Sequence, residues 1–328
     1  MGLKGVQGSD VMAKQEICKV AIVGAGNMAR EHIRAFADVP GVEIVGIHSR
    51  TRSRAETLAA EFGVPGVYDS VPEMYERTQA ELVVVAVPEM AMNPVSRACF
   101  EFPWTVLLEK PPGYNLQDAE AIHAVATAKG CKALVGLNRR FLSSTQAALA
   151  DLAQCESPRF IHVQDQQNLE VAASIGHPDV VVENWMYANS IHVIDYLRLF
   201  GRGSITSVTS VFAWDPKVAQ VVVAKIEFAS GDTGLYEGIW KGPGPWAVTV
   251  CTPEKRWEMR PLEQAVFHVW GERQLHPVEI HAWDQEFKPG FRLQAQMAVA
   301  AALGKPSDSP TLDEAVETMR LIHRIFGQ

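Results

Sequence analysis

An apolar strand that runs into a glycine turn and straight on into a helix admits few folds. The stretch Val20-Ala21-Ile22-Val23-Gly24-Ala25-Gly26-Asn27-Met28-Ala29 has that form. Gly24 permits the tight turn, Gly26 lets the main chain approach a diphosphate, and Ala29 is small enough for the helix to pack on the sheet. The N–H groups at the helix start, Asn27 and Met28 among them, face the same diphosphate, helped by the helix dipole. A glycine turn alone is common. Here a second strand, 43–48, follows at βαβ spacing, so a nucleotide cradle in a parallel α/β sheet is the expected outcome.

The pattern continues in the same sense. Apolar runs at 18–23, 43–48, 82–87, 105–108 and 133–137 alternate with helical stretches at 53–62, 72–77, 93–101 and 116–129. Short continuous strands between amphipathic helices predict a doubly wound parallel sheet covered on both faces. After Phe141 the character changes. A helix at 143–155 precedes strands at 159–167, 205–214, 218–228, 234–240, 247–251 and 257–260, and helices return at 291–303 and 312–326. Consecutive strands without helices between them predict a mostly antiparallel, open-faced sheet in a second, α+β domain. The expected division is a flexible leader at 1–16, a Rossmann domain at 17–141, and a substrate-binding and oligomerisation domain at 142–328.

Composition excludes some partners. The net charge is −8, which gives no general affinity for nucleic acid or an anionic membrane. No apolar run approaches the roughly 18 residues of a membrane span. Five cysteines are widely spaced with no C-x-x-C, which reads as free thiols in a reducing, cytoplasmic setting. Ten histidines are dispersed, and no metal site is expected; Glu279, His281 and Asp284 read as a solvated loop.

Four motifs in order and spacing carry a family resemblance: Gly24-Ala25-Gly26-Asn27-Met28-Ala29, Glu109-Lys110-Pro111, Gly136-Leu137-Asn138-Arg139-Arg140-Phe141, and His192-Val193-Ile194-Asp195. From Cys18 onward the chain resembles the glucose–fructose oxidoreductase/inositol dehydrogenase/rhizopine-catabolism (Gfo/Idh/MocA) family. The resemblance implies a nicotinamide-binding Rossmann domain, an open-faced second sheet, and hydride transfer at a carbinol carbon of a sugar, cyclitol or related polyol.

Within that frame Lys110, just after the 105–108 strand, is the first catalytic expectation: an ammonium that hydrogen-bonds the reacting oxygen and moves its proton. Glu109 either pairs with Lys110 or contacts the nicotinamide ribose, and the Lys110–Pro111 bond is a place for a cis peptide. His192 is the second expectation, as acid or base, with Asn189 and Asp195 each three residues away on one helical side. The family's D-x-x-x-H pattern is broken, because Ala188 stands four before His192. Tyr187 is an alternative proton donor.

The second strand ends in His48-Ser49-Arg50-Thr51-Arg52, without the carboxylate that reads an NAD ribose. Ser49, Arg50 and Arg52 therefore favour NADP over NAD. Val87 and Pro88, Asn138 and Arg139 close strands at the ligand end. Trp185, Tyr187, Trp240 and Lys241 are expected along the substrate cleft, with Arg159 and Arg256 as anion binders. Two other readings share the scaffold: a catalytically silent nicotinamide-sensing regulator, and a reductase of a non-sugar substrate such as a dihydrodiol or tetrapyrrole. Val221 and Val223 on the open sheet face predict a homodimer or homotetramer.

Overall fold

The computed structural model describes residues 16–218 and 221–327; apart from Glu16, the expected leader lies outside them. The first half alternates β1 (Cys18–Val23), α1 (Asn27–Ala37), β2 (Val42–His48), α2 (Arg52–Phe62), β3 (Val67–Tyr68), α3 (Val71–Thr78), β4 (Leu82–Val85), α4 (Glu89–Cys99), β5 (Thr105–Leu108), α5 (Leu116–Ala128) and β6 (Ala133–Val135). Its strands pair in parallel in the order β3-β2-β1-β4-β5-β6. The order reverses between β1 and β4, the switch point beyond which ligands bind in such sheets. All four residues of β4 and of β5 are buried, as strands covered on both faces require.

A short 3₁₀ turn, Asn138–Phe141, leads into α6 (Ser143–Leu152), β7 (Phe160–Gln166), α7 (Leu169–Ser174) and α8 (Asp179–Glu183). A π-helical turn, Met186–Ser190, then opens α9 (Ile191–Phe200). The strands β8 (Ile205–Phe212), β9 (Val221–Phe228), β10 (Thr233–Ile239), β11 (Ala247–Cys251), β12 (Lys255–Met259), β13 (Ala265–Val269) and β14 (His276–Pro277) follow. With β7 they form an eight-stranded sheet, β14-β13-β12-β11-β7-β10-β9-β8, antiparallel except where β7 meets β10. The chain closes with α10 (Trp283–Glu286), α11 (Phe291–Ala302) and α12 (Leu312–Phe326).

Period two is visible in β9. Val222, Ala224, Ile226 and Phe228 are buried, whereas Val221, Val223, Lys225 and Glu227 point to the uncovered face. That buried face joins α9 and α12 in one core, which continues into the first sheet. Phe291, Ala295 and Ala298 of α11 pack in the same cluster as Ile33 and Phe36 of α1, so α11 returns to cover the first sheet.

Arg140 locks the junction. Its guanidinium forks onto Asp195 (Nε–Oδ2 2.7 Å, Nη2–Oδ1 2.9 Å) and reaches Glu314 of α12 at 3.1 Å, while the Thr318 hydroxyl donates to Asp195 at 2.9 Å. Asp195 is thus a structural acceptor on α9, turned towards Arg140.

Candidate active site

A cleft of about 690 Å³ opens beyond the carboxyl ends of β1, β4 and β5. One wall comes from the parallel sheet: Gly26, Asn27, Met28, Val87, Pro88, Glu109, Lys110, Asn138 and Arg139. The other brings Asn189 and His192 from the turn into α9, and Trp246 from the β10–β11 connection. Lys288 and Phe291 enter from the loop leading into α11.

The two glycines differ in kind. Gly24 has φ +118°, and a Cβ there would lie 2.0 Å from the Ala86 carbonyl oxygen, so the protein's own backbone excludes a side chain. At Gly26 an added Cβ would meet nothing within 4 Å. The room it leaves belongs to the cleft. The first amides of α1 carry no side-chain cap, which leaves donors for an anion. These residues fit the diphosphate of a dinucleotide.

Glu109 and Lys110 follow β5 directly. The Glu109 carboxylate is buried and meets His32 Nε2 of α1 at 2.6 Å. Burial pushes this carboxyl up, but the His32 hydrogen bond and charge, with Lys110 and Lys288, hold it below the ordinary range. Glu109 is anchored by His32, one turn beyond the glycine motif, and its other oxygen accepts the Lys110 main-chain N–H at 3.2 Å. The Lys110–Pro111 bond is cis. Lys110 Nζ crosses the cleft to donate to the Ala188 carbonyl at 2.9 Å. Burial lowers its pKa from the usual lysine value, against the pull of Glu109 and Glu89.

That contact answers the broken D-x-x-x-H pattern. Where the family places a carboxylate side chain, this chain presents a main-chain carbonyl within a π-helical turn, a device frequent at functional sites. His192 lies one turn on, buried, with its ring 6.0 Å from Trp246 and, among the described residues, no hydrogen bond to Nδ1. Burial, then the positive charges of Lys110, Arg139 and Lys288, hold His192 well below the usual histidine pKa. At neutral pH it is an uncharged ring that accepts a hydrogen bond, and no imidazolium is available to donate.

Behind this wall lies a buried polar chain. Asn189 Nδ2 and Trp185 Nε1 both donate to Gln167 Oε1, at 2.8 and 2.9 Å. Gln167 Nε2 donates to Asp165, which is fully buried and also accepts from the Tyr236 hydroxyl at 2.8 Å.

Several expected site residues fall elsewhere. Trp240 is buried in an aromatic cluster with Trp214 and Phe326, 4.6 and 5.6 Å between ring centroids, because period two turns it inward at the end of β10. Tyr187 faces away from the cleft, its hydroxyl 3.4 Å from His323 on α12, and burial raises its phenol to about 12. Trp185 backs the cleft, edge-on to the lining residue His177 at 4.9 Å. Lys241 pairs on the surface with Glu170. Arg159 is buried, donating to the carbonyls of Leu152 and Phe200, and Arg256 pairs with Glu258 on the open sheet face. Asn138 lines the cleft and donates to Pro289; Arg139 pairs with Glu263 and lies 5.8 Å from the Trp246 ring.

Beyond β2, Arg50 is exposed and Ser49 accepts from the Thr51 amide at 3.3 Å. Arg52 is held by Asp69 and by Glu56, the latter at 2.9 Å, so two carboxylates compete for it.

Sequence reasoning passed over His32, Asp165, Gln167, Trp246 and Lys288. One signal was available. Asp165 shares the period-two face of Ile161 and Val163, and a carboxylate on a buried strand face needs a purpose.

The family described as an oxidoreductase family with an NAD-binding Rossmann fold matches residues 18–137. A 4-carboxy-2-hydroxymuconate-6-semialdehyde dehydrogenase of Sphingobium is 24% identical over 200 residues, 59% of this chain and 62% of that protein. An inositol 2-dehydrogenase of Saccharopolyspora erythraea is 32% identical over 126 residues, 38% of this chain and 37% of that one. The alignments thus span less than two thirds of either relative. Among solved structures, a dehydrogenase from Chromobacterium violaceum superposes with a TM-score of 0.82 at 19% identity, covering 96% of this chain and 95% of its own, which shows the shared fold. Residues 18–137 thus match the Gfo/Idh/MocA oxidoreductase family, and the chain as a whole shares its fold with a dehydrogenase of known structure.

Proposed function

We propose that this protein is an NAD(P)-dependent oxidoreductase that moves a hydride between nicotinamide and a carbinol or keto carbon of a sugar, cyclitol or related polyol. The observation that carries this is the Lys110 ammonium, set in the cleft on the Ala188 carbonyl, beside His192 and beyond the open space over Gly26. The nicotinamide, when bound, supplies the hydride acceptor or donor. Gly26 and the α1 amides would hold the diphosphate of the dinucleotide, with Val87 and Pro88 lining the cleft beside it. Lys110 hydrogen-bonds the reacting oxygen; its lowered pKa makes the neutral amine accessible, which takes the hydroxyl proton during oxidation, and the ammonium gives one back during reduction. Neutral His192 accepts a second hydrogen bond from the substrate. Relatives named for inositol and for a carboxylated semialdehyde support the dehydrogenase reading.

NADP is the favoured coenzyme, through Ser49 and exposed Arg50, with Arg52 drawn off by Asp69. The uncovered sheet face around Val221 and Val223 is read as a homodimer or homotetramer contact, and the five unpaired cysteines fit a cytoplasmic setting. The silent-sensor reading keeps two specific supports: the missing carboxylate at Ala188, and a His192 Nδ1 without a partner among the described residues. Lys110→Met separates the two. Turnover is expected to fall by about 10²–10⁴-fold while NADPH affinity stays within about twofold; unchanged steady-state turnover would refute the role of Lys110.

A further inference from the structure

Gln167 follows β7, and its side-chain amide is held from two sides, on one of them by a group that can only donate. Its Nε2 lies 2.6 Å from Asp165 Oδ1, and its Oε1 lies 2.9 Å from the Trp185 indole nitrogen. An indole N–H only donates, so the Gln167 atom facing it is the oxygen. Asp165 already accepts the Tyr236 hydroxyl and calls for a donor on its other oxygen. The indole therefore resolves an amide orientation that distance alone leaves open. The Gln167 main-chain N–H, bonded to the Ile239 carbonyl at 2.8 Å, pins the residue in place.

The consequence reaches the cleft. Asn189 must turn Nδ2 towards Gln167 Oε1, at 2.8 Å. Its Oδ1 takes no hydrogen bond from the described residues and is left for the cleft that Asn189 lines. Asn189 follows Ala188, whose carbonyl holds the Lys110 ammonium. An acceptor of fixed polarity therefore lines the same cleft as the proton-transfer group.

We propose that Asp165 and Trp185 act through Gln167 as positioning residues that fix Asn189 as an acceptor, so that the cleft selects a vicinal diol. The hydroxyl next to the reacting carbinol donates to Asn189 Oδ1 while the reacting oxygen meets Lys110. This rests on the hydride-transfer reading for the place of the reacting carbon. An ether or a bare methylene at the neighbouring carbon leaves Asn189 Oδ1 unpaired on binding, and sites built around a substrate hydroxyl reject analogues that lack it.

The test titrates NADPH-loaded protein with trans-1,2-cyclohexanediol, its monomethyl ether and cyclohexanol, following tryptophan fluorescence. The diol is expected to bind at least about tenfold more tightly than either analogue. In Gln167→Leu the Asn189 amide is free to rotate, and the preference should fall to within about twofold. Because Gln167 is buried, Asn189→Leu provides the same reading from the cleft surface. A purely structural role would lower the melting temperature and leave the binding ratio unchanged. Equal binding of the three probes, binding of none, or a preference that survives both substitutions overturns the proposal. Failure of both NADPH and NADH to bind is a separate result that overturns the hydride-transfer reading.

Discussion

The two walls of the cleft are built by different means. The coenzyme wall is main chain: a glycine at positive φ against Ala86, a second glycine with nothing above it, and uncapped amides at the start of α1. The substrate wall is side chain and hydrogen bond: Lys110 on a π-turn carbonyl, and Asn189 oriented from Asp165 through Gln167. A wall of backbone tolerates almost no substitution at its turn but asks little of the residues around it. A wall of side chains depends on partners scattered from β7 to α9, and each of those is replaceable in principle.

The largest effect expected from this contrast is at Gly24. Gly24→Ala forces a left-handed residue and a Cβ against the Ala86 carbonyl, so we expect at least about 3 kcal/mol of lost stability by denaturant unfolding. Gly26→Ala should leave stability within about 0.5 kcal/mol, because its methyl meets no protein atom, yet weaken coenzyme binding at least about tenfold by calorimetry. Equal stability losses at the two glycines would break the distinction between them.

On the side-chain wall, Asp195→Asn tests whether α9 is held by its buried ion pair. Removing one partner of such a pair costs about 3–5 kcal/mol, and the Asn, which keeps one acceptor for Arg140, should lie near the lower end of that range. Melting of the variant should be lowered while coenzyme affinity per folded molecule is kept. A loss of coenzyme affinity with full stability would show that the two walls are not separable in this way.

A smaller effect concerns pH. His192 has a folded pKa below its unfolded value, so as pH falls through about 6.5 the unfolded chain takes up a proton that the folded chain refuses. Stability is therefore lost towards acid. The drop in melting temperature between about pH 8 and pH 5.5 should be smaller in His192→Asn than in the wild type. An identical drop in both would mean that His192 titrates normally in the fold.

How much of this could be read from residue order differs between the walls. The parallel strands were legible because each short apolar run ends in turn chemistry, and β1 and β5 fall at the predicted limits. The two-residue strands β3 and β14 leave too little pattern to detect. Helix α11 announces an apolar face in Phe291, Ala295 and Ala298, but periodicity does not say which sheet that face covers. Lys110 was found through its motif. Tyr187 was expected in the cleft from its place in the sequence beside His192; within the π turn at Met186–Ser190 its hydroxyl instead faces His323 on α12. Trp240 shows the limit of residue type as a guide: an aromatic at a strand end served the core. The Glu109–His32 pair joins residues 77 apart, and only the folded chain brings them together.

The central claim is that this cleft performs hydride transfer. It is tested most directly by supplying NADP and NAD to the protein with a panel of cyclitols, sugars and vicinal diols, and recording absorbance at the reduced-nicotinamide band. The account predicts that absorbance rises with at least one vicinal diol and that Lys110→Met abolishes the rise. Saturable coenzyme binding with no absorbance change for any member of the panel would contradict it and leave a nicotinamide sensor.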